Sequence, residues 1–569
     1  MDIRRSTIAG ALATLLACSP AEEVQPPADL VVLGGRVATL DPNLPEAEAV
    51  AARDGEIVFV GGAEEARDLI GAATELIELN GERVIPGFVE GHGHFYGLGQ
   101  RQLQLDLTQT SSWQQIVDLV AQAAAEAEPD AWITGRGWHQ SKWSEPPPGA
   151  VEGLPRHDAL SAVSPDNPVV LTHASGHASF VNARALELAG IGADTPDPEG
   201  GTIVRDGRGR AIGYLRETAQ GLVARARGGG FDPVEARRVV DLAARESLTN
   251  GVTSFQDAGS SFELIGLYRE MAEAGELPVR LWVMVREPNQ ELAERLGGLR
   301  VVGAGDEHLT VRAIKKSIDG ALGAHGAWLL EPYEDLPSSA GLNTTPLEEI
   351  EETARLALEH DFQLCVHAIG DRANRETLDL FERAFAATGV DGRELRWRIE
   401  HAQHLDPTDV PRFAGLGVIA SMQAVHATSD GPWVPSRIGD QRAEQGAYVW
   451  RSLIDSGAIV TNGTDAPVED VSPIASYAAA VTRLMNDGEA FYPEQAMTRE
   501  EALRSYTLDA AYAAYEDERK GSLEIGKLAD LVVLSRDILT VPEGEIAGAE
   551  VLITVVGGEI RYRREGGGA

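Results

Sequence analysis

The stretch Arg83-Val84-Ile85-Pro86-Gly87-Phe88-Val89-Glu90-Gly91-His92-Gly93-His94 runs from an apolar segment through Pro-Gly into His-Gly-His. Along an extended chain alternate side chains share a face, so His92 and His94 point the same way. Two imidazoles on one face are a pair of metal donors, and Gly91 and Gly93 remove side chains that would crowd them. Taken alone, such a triplet reads as readily as a glycine-rich turn with two solvated histidines. The segments downstream decide between the two.

Strand-like runs recur at Val252–Gln256, Val279–Val285, Val311–Ile318, Gln363–Ile369, Arg396–His401, Val418–Gln423 and Ala458–Asn462. Amphipathic stretches such as Leu347–Glu359, Asn374–Ala387 and Glu500–Tyr515 fall between them. With the first strand this makes eight, alternating with helices, which predicts an α/β fold of the (β/α)8 TIM-like barrel type over residues 87–519. A doubly wound open sheet is the competing topology, but no GxGxxG loop supports it. Residues 97–235 are too long for a loop and are read as a subdomain inserted after strand one. It carries Trp132, Trp138, Trp143, the run Gly135-Arg136-Gly137-Trp138-His139 and the run Thr172-His173-Ala174-Ser175-Gly176-His177. Starting from the face where barrel sites lie, it is expected to form a lid or substrate wall, the alternative being a structural subdomain with a tryptophan core.

Both ends of the chain read as β-structure. Residues 29–86 and 520–565 are expected to build one small composite β-sandwich, with Gly34-Gly35 as the turn between two strands. Residues 1–18 read as a lipoprotein-type signal: Arg4 and Arg5, a short apolar run, then Leu15-Leu16-Ala17-Cys18, with Cys18 as the lipidated residue. Residues 19–28 are a tether. The expected location is therefore the bacterial envelope, at the outer membrane or periplasmic face, held by lipid alone. Of 569 residues 49 are Lys or Arg and 88 are Asp or Glu, a formal net charge of −39. That field repels nucleic acid and anionic lipid headgroups, so neither is an expected partner; the partner expected from the site read below is a small-molecule substrate. A homodimer is compatible with the sequence. The two cysteines, Cys18 and Cys365, suggest no disulfide framework.

Candidate donors collect at predicted strand ends. Strand five ends in His367-Ala368-Ile369-Gly370-Asp371, strand six in Glu400-His401-Ala402-Gln403, and strand eight in Gly463-Thr464-Asp465. In strand four, alternation puts Ala313, Lys315, Ser317 and Asp319 on one face and Lys316 on the other. Any one of these histidines is more often a core or loop residue than a ligand. Four of the chain's 13 histidines at three strand ends are harder to dismiss.

The motifs PGFVEGHGH, GRGWHQ, IKKSIDGALG, HAIGDRAN, RIEHAQH, NGTDAPV and GKLADLVVL, in this order, resemble the amidohydrolase superfamily. The resemblance is strongest to its YtcJ-like and N-substituted formamide deformylase-like branch (amidohydrolase family 3) and spans nearly all of the chain after the signal. It implies that His92, His94 and Asp465 bind one divalent ion, that His367 and His401 bind a second, and that a carboxylated Lys315 bridges them. Zinc is the expected metal, with Mn, Fe or Ni compatible with the same donors. It further implies hydrolysis of an amide, formamide or N-acyl C–N bond by a metal-bridging hydroxide, with Asp465 as general base and then acid. Trp138, His177, Arg372 and His426 are candidate substrate contacts, with Asp430 placed near His426. Glu90 stands where the family more often has Asp, and Thr464 where Ser is commoner, so the surroundings of His92 and Asp465 depart from the pattern. The other readings are ester or carbamate hydrolysis at the same centre, a single-metal deaminase that would not need Lys315, and a lipid-anchored binding protein on a decayed barrel.

Overall fold

A computed structural model describes residues 26–565 apart from Gly229. The signal segment 1–18, with Cys18, and most of the tether lie outside the described residues. Eight parallel strands share one sheet in chain order: Phe88–Gly93, Val252–Ser260, Arg280–Val285, Leu309–Ser317, Gln363–Ala368, Arg398–His401, Ile419–Met422 and Val460–Asn462. A short strand, Val301–Gly303, pairs antiparallel with the fourth. The strands read as apolar runs because both faces are covered: all six residues of Arg280–Val285 are buried, as are all six of Gln363–Ala368.

The barrel is nearly closed, and its last gap is bridged by backbone. The Asp465 N–H donates to the His92 carbonyl at 2.8 Å, and the His94 N–H to the Ala466 carbonyl at 2.6 Å. Gly91 permits this approach, since a Cβ there would sit 2.4 Å from the Asn462 carbonyl oxygen. The strand that opened the sequence reading is therefore the one against which strand eight closes.

Helices fill the crossovers. Leu347–His360 and Asp371–Thr388 follow strands four and five much as the periodicity predicts. The helix expected over Glu500–Tyr515 is instead two, Arg499–Ser505 and Leu508–Ala513. Between them the buried Tyr506 turns its carbonyl to the Val89 N–H at 2.7 Å, tying the barrel floor to strand one instead of continuing the helix.

The insertion holds its own six-stranded sheet, in the order Gly201–Arg205, Ala211–Glu217, Ala178–Val181, Val169–His173, Ile133–Trp138, Leu105–Asp106. Its sheet spans a shorter stretch than 97–235. The helices Phe95–Arg101 and Pro233–Thr249, which overlap the edges of that range, join each other through Glu246: its carboxylate pairs with Arg101 at 2.5 Å and accepts from Gln102 Nε2 at 2.7 Å.

Strands from both chain ends form one eight-stranded sheet, five between Leu30 and Pro86 and three between Leu531 and Arg563. Gly34-Gly35 is not a hairpin turn. The strand Leu30–Ala38 runs through it with a bulge, pairing with Glu75–Glu78 before the bulge and with Arg83–Pro86 after it. The sheet therefore forks, and the buried Leu30, Val32, Val50 and Ile77 of one arm meet Leu531, Val533, Ile553 and Val555 of the other. Among the described residues, no helix is long and apolar enough to cross a membrane.

Candidate metal centre

The six residues implied as ligands come together at the C-terminal mouth of the barrel. His92, His401 and Asp465 each aim one donor atom at a common space, all within 4.8 Å of one another. His94 Nε2 lies 3.2 Å from Asp465 Oδ1, and Lys315 Nζ lies 3.5 Å from His92 Nε2. The His367 ring packs against His401 with centroids 4.5 Å apart. Lys316 points the other way, donating to the Glu287 carbonyl at 3.2 Å and to Glu349 Oε1 at 3.1 Å. The strand-four register read from alternation is the register of the fold.

His92 and His401 are each held through Nδ1, which leaves Nε2 for a metal. His92 Nδ1 is hydrogen-bonded to Glu400 Oε2, while Glu400 Oε1 is 3.1 Å from Arg398 Nε. Arg398 lies inside the barrel, 4.6 Å over the Trp282 ring and 3.4 Å from Cys365 Sγ. Burial alone would raise the Glu400 carboxyl, but Arg398, His92 and Lys315 outweigh it and hold the group well below the usual range. An ionised Glu400 takes the Nδ1 proton of His92 as a hydrogen bond and leaves Nε2 free. His401 Nδ1 is likewise 2.7 Å from Gln423 Oε1. Burial, with Lys315 nearby, pushes His92 down to about 4, so it is neutral and able to ligate.

Burial also pushes the Lys315 ammonium down to about 8, so a neutral amine is accessible near neutral pH. Burial would raise Asp465, yet His94, His92 and His401 keep it well below its ordinary value and ionised. His367 Nε2 is buried without a hydrogen-bond partner, and Asp465 Oδ1 has only the nitrogens of His94 and His92 beside it, at 3.2 and 3.6 Å. Orphaned buried donors and acceptors of this kind are costly unless something fills the space between them. Neutral imidazoles, a carboxylate and a lysine able to lose its proton are the donor set a divalent ion requires, so the residues fit a metal.

Sequence reasoning had not assigned Glu400 or Gln423. Glu400 stands beside His401 in one quoted motif, yet strict alternation puts neighbours on opposite faces. The backbone breaks that rule. His401 and Asp465 adopt left-handed φ values of 75° and 56°, which turn both side chains into the site at their strand ends. Glu90 also departs from expectation: its carboxylate bonds the Thr464 N–H of the strand-eight loop, while Glu400 holds the His92 ring.

The substrate-contact candidates separate. His177, from the insertion, lies 4.9 Å from His367 between ring centroids, with its Nδ1 2.7 Å from Glu217 Oε2. His426 stacks near His401 at 6.4 Å, its Nε2 buried and unpartnered. Asp430 binds the Tyr448 hydroxyl at 2.7 Å. Trp138 is not at the mouth. It is fully buried in the insertion core, edge-on to Tyr214, and its Nε1 donates to the Leu171 carbonyl at 2.9 Å. Its one polar atom is bonded within the insertion and none of its surface is exposed, which corrects the sequence-based expectation. Arg372 is 43% exposed and donates to Glu376 Oε1 at 2.7 Å beneath the Trp328 ring, an i,i+4 surface pair and not a wall of the site.

A parallel barrel with histidine, lysine and aspartate donors gathered at its C-terminal mouth is the architecture of a metal-dependent hydrolase. Residues 75–562 match the Amidohydrolase family, and the chain belongs to that family. It is 32% identical to a putative amidohydrolase, YtcJ, of Bacillus subtilis, over 93% of this chain and 99% of that one. It is 28% identical to an N-substituted formamide deformylase of Arthrobacter pascens, over 95% of this chain and 99% of the other. An uncharacterized metal-dependent hydrolase from Pyrococcus horikoshii superposes with a TM-score of 0.72 at 26% identity, covering 90% of this chain and 99% of that structure.

Proposed function

We propose that the protein hydrolyses a C–N bond of an amide, formamide or N-acyl small molecule, with two divalent ions held by His92, His94, His367, His401, Asp465 and a carboxylated Lys315. The observation that carries this is the convergence of His92, His401 and Asp465 within 4.8 Å, with Lys315 3.5 Å from His92. Bound there, divalent ions supply Lewis acidity and lower the pKa of water toward neutrality. The neutral amine of Lys315, favoured by its burial, is the form that combines with CO₂, and the resulting carboxylate suits a site between cations. Asp465, kept ionised, takes the proton of the attacking water and returns it to the leaving nitrogen, which would otherwise depart as a poor amide anion. Glu400 and Gln423 fix the histidine tautomers through this cycle. His177 and His426 stand on two sides of the ligand cluster, placed to contact a substrate.

The test is metal analysis with a substrate panel. The purified protein should carry close to two divalent ions per chain, lose activity on chelation and regain it with zinc or manganese. Formamides and N-acyl amines should be cleaved faster than matched esters. One ion or none in fully active protein would overturn the two-metal reading, and faster ester cleavage would reassign the substrate. We further propose that lipid on Cys18 holds the enzyme at the cell envelope. Cys18→Ala should then release it from the membrane fraction, and wild-type protein found soluble in the periplasm would refute the anchor.

A further inference from the structure

The wall that the insertion contributes to the mouth carries an unusual charge. Arg136 lies on the insertion strand Ile133–Trp138 and is half-buried. Its Nε points at the Pro467 carbonyl, 3.5 Å away and two residues beyond Asp465, and its Nη2 at the Ala174 carbonyl, 3.4 Å away and three residues before His177. Both contacts are at the outer limit of a hydrogen bond, so the guanidinium spans the gap between strand eight and the His177 segment with most of its five N–H donors uncommitted.

Other part-buried arginines of this region are paired. Arg216 meets Glu152 at 2.8 Å, Arg101 meets Glu246 at 2.5 Å, and Arg437 is bonded to Asp335. Among the described residues, Arg136 has no carboxylate at ion-pair distance. The carboxylate that does act on it is Asp465, whose charge is committed to the histidine cluster. In a chain with a formal net charge of −39, a half-buried guanidinium without an acidic partner near Asp465 is suited to pair with an anionic group of a ligand.

We propose that Arg136 is a specificity-determining residue that receives a carboxylate, or an equivalent planar anion, carried by the substrate beside its scissile bond. The substrate class is then an N-acylated compound with an acidic group near the amide, such as an N-acyl amino acid. This rests on the hydrolase reading given above. The fork of the guanidinium matches a carboxylate in a two-bond geometry. The remaining surroundings set the orientation. Asp430 lies one helical turn beyond His426 on the helix Ala424–Asp430, after strand seven, where it binds the Tyr448 hydroxyl at 2.7 Å, and its carboxylate repels an anion from that side. The acidic group therefore lies toward the insertion, under Arg136, and the neutral part of the substrate toward His426.

The experiment compares N-formyl-L-phenylalanine with N-formyl-L-phenylalaninamide in the metal-loaded full-length enzyme, reading formate release. In parallel, calorimetry measures binding of N-methanesulfonyl-L-phenylalanine and its neutral amide, whose sulfonyl groups resist cleavage. Arg136→Gln is expected to lower kcat/KM for the anionic substrate about 10- to 100-fold, mainly through KM, and to weaken the anionic sulfonamide by a similar factor. The neutral members should be unaffected, which also shows that the variant is folded. Arg136→Lys, keeping the charge but not the fork, should recover part of the loss. A wild-type enzyme that treats the anionic and neutral members alike, or a variant that loses both equally, would overturn the proposal. If neither formyl compound is cleaved, the amide-hydrolase reading fails for this class. The calorimetric comparison still decides Arg136, since equal binding of the two sulfonamides, or binding of neither, would overturn it.

Discussion

Lys315 is where one residue decides between two kinds of barrel. Its Nζ faces His92, while Lys316 on the opposite face of the same strand is held by Glu349 and the Glu287 carbonyl. If Lys315 is carboxylated as proposed, Lys315→Ala is expected to lose metal and nearly all activity, and acetate or propionate, able to stand in for the proposed lysine carboxylate, should restore part of both. Lys316→Ala removes a part-buried ion pair and should cost about 1 kcal/mol of stability while keeping metals and rate. Metal analysis and steady-state rates on the two variants check this; an inactive Lys316→Ala beside an active Lys315→Ala would reverse the assignment. The pair also shows how far alternation can be trusted. It holds in the interior of strand four and fails at the ends of strands six and eight, where the left-handed His401 and Asp465 re-aim the chain.

At the scale of elements, the insertion is both a small folded body and a wall. Its core packs Trp138 against Phe180, Tyr214 and Trp143, while Arg136 of the same sheet and His177, just before the strand Ala178–Val181, reach the mouth. A break in alternation accounts for the division: Arg136 and Trp138 would share a face of a regular strand, but Gly137 has a φ of 105° and the register shifts there, so the two side chains part company. Trp138→Ala should therefore destabilise the protein by about 3–5 kcal/mol as a core truncation, with metal content and KM retained below the unfolding temperature. Thermal unfolding and substrate titration on the same preparation separate the outcomes. A raised KM with unchanged unfolding would return Trp138 to the substrate wall.

For the whole molecule, the junction between the terminal sheet and the barrel packs Val532, Leu534 and Val551 into the barrel core and is crossed by a buried ion pair. Arg280, at the start of barrel strand three, donates to both oxygens of Asp530 at 2.8 and 3.0 Å, and the Gly557 N–H adds a third bond to the same carboxylate at 2.8 Å. Burial would raise Asp530, but the Arg280 pair outweighs it and holds the carboxyl below its ordinary value. A depressed carboxyl contributes stability above its unfolded pKa, near 3.9, and loses it as pH falls through the lower folded value. Asp530→Asn leaves Arg280 buried and unpaired, at a cost of about 3–5 kcal/mol near neutral pH. The stability gap between wild type and Asp530→Asn, followed by thermal unfolding, should shrink as pH falls below about 4. A gap constant with pH would mean that the carboxylate charge is not what joins the two parts.

Eight strands and their order were legible in the linear chain, because a strand buried on both faces reads as an apolar run, while the six residues proposed as ligands were named from the family motifs that fall where such runs end. The lysine of strand four was legible too, since period-two geometry needs no partner to state it. Other features depend on contacts between distant segments. Glu400 is assigned to His92 only because strands one and six face each other across the barrel, 308 residues apart in the chain. The split of the last helix follows from Val89 needing the Tyr506 carbonyl, and the bulge at Gly34-Gly35 from one strand having two successive neighbours. A tryptophan or arginine carries no local mark of whether it will be core or wall. That was decided for Trp138 and Arg136 by the backbone turn at Gly137 and by what the rest of the fold placed opposite each side chain.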